Sequence, residues 1–180
     1  MKTKMSYAIA RQLAETVIID LAAACERIEI AGSIRRKKPE IGDIEIVCIP
    51  KYIAIAADLF GNPVRTSALN SQIYRAAKRN DWEAIKDGDM YKQYNIGPCS
   101  LDLFITTPEK WGCVFTIRTG SAEFTHRLVT ARRMGGLCPS YMRFKDGRLW
   151  NGDAPLATPE ESDVFKALGI DWIEPEKRLS

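Results

Sequence analysis

The sequence predicts an α+β fold of 180 residues, long enough for one domain or two small lobes with a buried core. Two observations carry the prediction. Apolar residues recur at helical spacing in residues 4–24 and 67–78, whereas period-two alternation marks residues 27–31, the stretch after Gly42, and two runs flanking Gly97-Pro98. Glycine, proline and Asp-Gly steps punctuate these segments.

In residues 4–24 the apolar positions Ala8, Ile9, Leu13, Val17, Ile18, Leu21 and Ala22 form the stripe of a helix laid against a sheet. Arg27-Ile28-Glu29-Ile30-Ala31 alternates as a half-buried strand and ends at Gly32-Ser33. A second strand enters after Gly42, with Ile44, Ile46 and Cys48 on one face. Residues 52–60 read as a short helix closed by Gly61-Asn62-Pro63. Residues 67–78 form another helix, with Ile73, Ala76 and Ala77 on one side and Arg75, Lys78 and Arg79 towards the other. Residues 90–96 and 99–106 make a hairpin about Gly97-Pro98, and its second arm carries Asp102 opposite Leu101, Leu103 and Ile105. Thr107-Pro108 divides the chain into 1–107 and 108–180. Beyond it, residues 111–117 lead to Arg118-Thr119-Gly120-Ser121 and a helix over 122–134, with Phe124, Leu128 and Ala131 inside, stopped by Gly135-Gly136. Lys145-Asp146-Gly147 turns a hairpin within 141–150. The last helix has Thr158 as N-cap, Pro159 at its first position, Glu161 closing a capping box, and Gly169 at its end.

Composition narrows the class without naming a function. Hydrophobic residues at 46% and charged residues at 27% are those of an ordinary soluble globular chain. No apolar run approaches a membrane span and the start lacks a secretory stretch, so the expectation is a cytoplasmic protein. The five cysteines show neither CxxC pairs nor histidine partners, which predicts reduced thiols. A net charge of +3 is too small to imply a nucleic-acid partner by itself.

The chemistry concentrates in residues 31–48, AGSIRRKKPEIGDIEIVC. In an extended chain Asp43 and Glu45 share a face, and carboxylates that close are costly unless positive charge sits between them; hard divalent cations with oxygen ligands are the usual answer. Asp102, an acid alone in an apolar run, completes a triad if its strand lies beside the first. Gly32 lets backbone N–H groups approach a phosphate and Ser33 adds a donor. Alone, Gly-Ser is a turn and Asp102 an edge-strand surface residue. Followed by Arg35-Arg36-Lys37-Lys38 and the carboxylate pair, the phosphate reading is the better one.

Taken in order, Gly32-Ser33, Arg35-Arg36, Gly42-Asp43-x-Glu45, Asp102, Thr119-Gly120-Ser121 and Phe124 resemble the X family of DNA polymerases, the polymerase beta-like nucleotidyltransferases. Residues 160–178 look like that family's closing helix and tail, so the resemblance runs from about residue 26 onward. It implies a nucleotidyltransferase palm with a mixed β-sheet and flanking helices over 1–107, and a small α/β nucleotide-binding lobe over 108–180. It further implies that Asp43, Glu45 and Asp102 are catalytic ligands of two Mg2+ ions, with Mn2+ as a substitute. Gly32, Ser33, Arg36 and Gly42 then bind the nucleotide, its outer phosphates falling to Ser33 and Arg36, and Gly120 and Ser121 line its sugar and base side. Arg118, Arg127, Arg132 and Arg133 are candidates for DNA or nucleotide contact. Because only one helix and one strand precede the Gly-Ser turn, the resemblance is to a minimal form lacking the lyase domain. Departures from the family pattern are Glu45 in place of Asp, Ile117 and Arg118 in place of two aromatics, and Ala122 and Thr125 in place of polar residues.

The expected function is DNA-directed transfer of dNMP from dNTP to a DNA 3′-hydroxyl with release of pyrophosphate, in short gap-filling or repair synthesis by a monomer on primer-template or gapped DNA. Such chemistry asks little of protein acids and bases, and the single histidine, His126, reads as a helix-flank residue. Two alternatives stand beside it: a template-independent or small-acceptor nucleotidyltransferase, and a nucleic-acid-binding palm without catalysis.

Overall fold

The structure, a computed structural model, describes residues 4–57 and 60–179. Its first strand β1 (Met5–Ser6) leads into helix α1 (Tyr7–Leu21), followed by β2 (Cys25–Ile30), a single helical turn α2 (Gly32–Arg35), β3 (Glu40–Ile41) and β4 (Asp43–Pro50). Next come β5 (Tyr52–Ala57), β6 (Pro63–Ser67), α3 (Ala68–Asn80), β7 (Glu83–Asp87), β8 (Tyr91–Asn95) and β9 (Ser100–Ile105). The remainder comprises α4 (Trp111–Thr119), α5 (Ala122–Val129), β10 (Met142–Lys145), β11 (Arg148–Asn151), β12 (Ala154–Leu156) and α6 (Glu161–Leu168).

A five-stranded sheet in the order β2-β4-β9-β8-β7 organises the first part of the chain. It is mixed: β4 pairs antiparallel with β2 and parallel with β9, and β9 pairs antiparallel with β8. Alternation along the central strands sorts their side chains. Ile44, Ile46, Cys48, Leu101, Leu103 and Ile105 point into a core shared with Ala10, Ala14, Val17 and Leu21 of α1 and Leu69, Ile73 and Ala76 of α3. On the other face Val47, Ile49 and Phe104 pack with Ala31 and with Trp111 and Phe115 of α4. Asp43, Glu45 and Asp102 alternate onto this second face, ahead of the apolar residues that α4 covers. A separate core gathers Cys113, Phe124, Leu128, Cys138, Leu149, Val164, Phe165 and Leu168 around the three-stranded sheet β10-β11-β12.

Several expected elements differ. The helix expected over 52–60 is the strand β5, paired with β6; residues 58 and 59 of that expectation lie outside the described residues. Tyr52, Ile53 and Ile55 carry bulky or β-branched side chains that favour extended backbone, and Gly61, at φ +82, belongs to the turn of a hairpin. The first helix begins at Tyr7 because Met5 and Ser6 pair with Ile41 and Glu40, and Ile9 is exposed while Ala10 and Ala14 take the buried stripe. The helix after Ser121 stops at Val129: Thr130 is extended and its hydroxyl turns back to the His126 carbonyl, 2.6 Å. For the last helix, Glu160 and not Thr158 is the N-cap, and Asp163 closes the capping box. Thr158 is buried, its carbonyl accepting from the Gly112 N–H at 2.7 Å. Gly169 ends that helix as expected, in the left-handed conformation at φ +62. The hairpin about Gly97-Pro98 is present, and among the described residues no helix is long and apolar enough to cross a membrane.

Candidate active site

The parallel pairing of β4 with β9 sets Glu45 directly beside Asp102 and Asp43 beside Ser100. All three acids therefore lie on one sheet face, within two residues of one another along or across the strands. Their side chains are turned to different partners. Glu45 lies against the α2 turn: a Cβ on Gly32 would fall 1.9 Å from Glu45 Oε2, and Gly32 also needs φ +59, so glycine is required there twice over. Asp102, only 8% exposed, accepts a hydrogen bond from the Tyr91 hydroxyl and another from Gln93 Nε2 at 2.8 Å, both on Oδ1. Among the described residues no three His, Cys, Asp or Glu side chains are drawn together as metal ligands.

The electrostatics express the crowding. Burial, followed by the charge of Asp43 and, more weakly, of Asp102, pushes the Glu45 carboxyl up to about 7, with Arg36 and Arg118 pulling the other way. Burial, and then its bond to Asp102, drives the Tyr91 hydroxyl far above its ordinary value, so it remains a donor. Arg36 is half-buried and its guanidinium is lowered by burial, offset by Glu45 and Asp43. Its acidity starts so far above neutral that it stays a cation.

Arg36 Nη1 donates to the Thr119 carbonyl at 2.5 Å, which brings the α2 turn against the Thr119-Gly120-Ser121 turn between α4 and α5. Two buried polar atoms in this neighbourhood, Ser33 Oγ and Arg36 Nε, have no hydrogen-bond partner among the described residues. An oxygen-only acid set with a carboxyl raised by its neighbours, beside orphaned donors on Ser33 and Arg36, fits a hard divalent cation carrying a phosphate-bearing ligand. Ser121 caps α5, its hydroxyl accepting from the Phe124 N–H at 3.1 Å while donating to the Leu179 carbonyl at 2.7 Å. A Cβ on Gly120 would fall 2.5 Å from the Phe124 ring, so this turn too is built for glycine. Gly42 is open: a Cβ there would meet nothing within 4 Å.

The arginines fall into distinct places. The Arg118 guanidinium lies over the Phe104 ring, 3.9 Å from its centroid, at the rim of the acid face. Arg127 and Arg133 are exposed, whereas Arg132 ties the loop carbonyl of Leu137 to that of Leu168 at the end of α6.

Sequence reasoning missed four participants. Arg35, next to Arg36, donates to Thr119 Oγ1 at 2.7 Å and to Glu161 at 2.5 Å, with its guanidinium over Phe115. Glu161 also accepts from Arg178 at 2.5 Å, so the capping residue of the sequence reading is the anion between two arginines. Tyr91 and Gln93, which hold Asp102, were legible in principle: a hairpin centred on Gly97-Pro98 pairs Gln93 with Asp102.

Residues 115–179 match the family model of the DNA polymerase beta thumb. Over 164 residues, 82% of this chain, the sequence is 24% identical to DNA polymerase lambda of Rattus norvegicus, and it spans 28% of that protein's length. Residues 115–179 are thus similar to a DNA polymerase beta thumb, and most of the chain is similar to an X-family DNA polymerase.

Proposed function

We propose that this protein is a DNA-directed nucleotidyltransferase, adding dNMP from dNTP to a DNA 3′-hydroxyl and releasing pyrophosphate, in gap-filling or repair synthesis. The observation that carries the reading is the parallel register of Glu45 with Asp102, two residues from Asp43, on the face that meets Ser33, Arg36 and the Thr119-Gly120-Ser121 turn. In this reading residues 1–107 form the palm and 108–180 the nucleotide-binding lobe.

Asp43, Glu45 and Asp102 would hold two Mg2+ ions, or Mn2+, whose chemistry when bound is to acidify the attacking hydroxyl and neutralise charge on the triphosphate. The chain's own groups do the positioning. Ser33 Oγ and Arg36 Nε, both without protein partners, are the donors for outer phosphate oxygens. Arg36 presents a planar fork suited to a phosphate and is already neutralised in part by Glu45 and Asp43. Ser121 orients the turn that faces sugar and base, since its hydroxyl caps α5 and its N–H donates to the Arg178 carbonyl at 3.0 Å. Arg118, over Phe104 at the rim of the acid face, and the exposed Arg127 of α5 are candidate DNA contacts.

The test is extension of a labelled primer, on a one-nucleotide gap and as a free single strand, with each dNTP and rNTP and with Mg2+ or Mn2+. Insertion of only the complementary dNTP supports the reading. Addition without regard to template moves the activity to end transfer, and no addition with either metal, in a protein that retains DNA binding, makes the chain a binding module.

A further inference from the structure

Strand β8 faces the acids with alternate residues. Lys92 and Tyr94 are buried on the core side, so Tyr91 and Gln93 fall on the face of Asp102. Gln93 is the cross-strand partner of Asp102 and Tyr91 that of Phe104, so one donor approaches Asp102 from directly opposite and the other diagonally. Both bonds end on Oδ1, and Oδ2 accepts no hydrogen bond among the described residues. The phenol is itself fixed: its ring stacks on Phe104 with centroids 5.2 Å apart and planes 25° apart, Arg118 covers Phe104, and the Lys86 ammonium lies 5.5 Å from the Tyr91 ring centre.

We infer that Tyr91 and Gln93 are positioning residues that lock Asp102 as a one-oxygen ligand, with Oδ1 held by the protein and Oδ2 presented to a divalent cation. This rests on the proposed function and adds to it what holds the acid in place. Two convergent donors fix the carboxylate plane, and the stack beneath the phenol keeps the stronger donor from turning away. A carboxylate free to turn would present either oxygen, so these two donors decide which oxygen of Asp102 is available to a cation.

The experiment compares the intact chain with Tyr91→Phe, Gln93→Met and Asp102→Asn. Mn2+ binding is titrated by electron paramagnetic resonance at low temperature, where a variant of lowered stability stays folded, and single-nucleotide insertion is measured in parallel. Tyr91→Phe keeps the ring on Phe104 and deletes only the hydroxyl; Gln93→Met keeps length and deletes the amide. Each is expected to weaken the Asp102-dependent Mn2+ site by about 10-fold and to lower kcat by roughly 10–100-fold, with the KM for dNTP nearly unchanged. A purely structural loss would move KM and kcat together. If Asp102→Asn abolishes binding and insertion while both β8 variants match the unmodified chain, the positioning role is wrong and the polymerase reading stands. If Asp102→Asn binds Mn2+ and inserts nucleotide normally, the polymerase reading fails and this inference falls with it.

Discussion

Glu161→Gln removes the one anion between Arg35 and Arg178. Glu161 is 5% exposed and Arg178 0% exposed, and both arginines reach the carboxylate at 2.5 Å. Burial raises the Glu161 carboxyl, but the bonds from Arg35 and Arg178 and their charges outweigh it, so the group lies below its ordinary value of 4.5. Burial also lowers Arg178, yet a guanidinium remains charged throughout the pH range of a folded protein, so the contact is an ion pair. Removing one partner of a buried pair costs about 3–5 kcal/mol. The lower end is expected here, about 3 kcal/mol, because glutamine still accepts one bond and Arg178 keeps its bond to the Ile173 carbonyl at 2.9 Å.

A carboxyl depressed in the fold stabilises above its unfolded pKa, and that stability is lost as pH falls through the folded value. The gap between the unmodified chain and Glu161→Gln should thus be complete above pH 4.5 and close at lower pH as Glu161 itself takes up a proton. Urea denaturation followed by tryptophan fluorescence reads it, because Trp172 packs on Phe165 and lies 4.8 Å from the Arg178 guanidinium. A gap under about 1 kcal/mol near neutrality, or one that persists unchanged into acid, would refute the ion-pair account.

Three further outcomes are expected. Gly32→Ala forces a Cβ into Glu45 Oε2 and a left-handed backbone, so it should destabilise by at least about 1–2 kcal/mol in urea and abolish insertion. Arg36→Lys keeps the charge but loses the fork, and should raise the KM for dNTP by about 10-fold with a smaller change in kcat, read by steady-state insertion. DNA affinity, measured by fluorescence anisotropy across a salt series, should fall linearly on logarithmic axes, and replacing Arg127 by alanine should reduce that slope by about 1 if it contacts a phosphate.

Much of this fold was legible because it rests on periodicity. The β4 and β9 faces followed from alternation alone, which puts Asp43 and Glu45 on one face of β4 and Asp102 on the non-core face of β9. That the two strands are neighbours came from the family resemblance, and their parallel pairing, which sets Glu45 beside Asp102, is encoded by no local pattern. Residues 52–57 misled because Ala54, Ala56 and Ala57 suit a helix as readily as a strand, and β5 is exposed on every residue, so no buried face imposed alternation. Glu161 misled for a different reason: Thr158-Pro159 before an acid is a good helix-start pattern, but the true cap lies two residues on and tertiary contacts took the acid.

The adjacent arginines explain how the α2 turn and residues 115–179 are coupled. In one turn of α2, Arg35 and Arg36 diverge, yet both end at Thr119: Arg36 at its carbonyl, Arg35 at its hydroxyl. Their remaining commitments differ. Arg35 is neutralised by Glu161 and covered by Phe115, so it has little left to offer a ligand. The Arg36 guanidinium has one hydrogen bond among the described residues and an orphaned Nε, and it faces the acids. In the proposed reading an incoming triphosphate would compete with the Thr119 carbonyl for Arg36, a bond of about 1.5–3 kcal/mol to a charged donor, and would leave the Arg35–Glu161–Arg178 ion pairs in place. The two neighbouring arginines thus divide their work: Arg35 is committed to Glu161 and the Thr119 hydroxyl, while Arg36 keeps an Nε without a partner among the described residues.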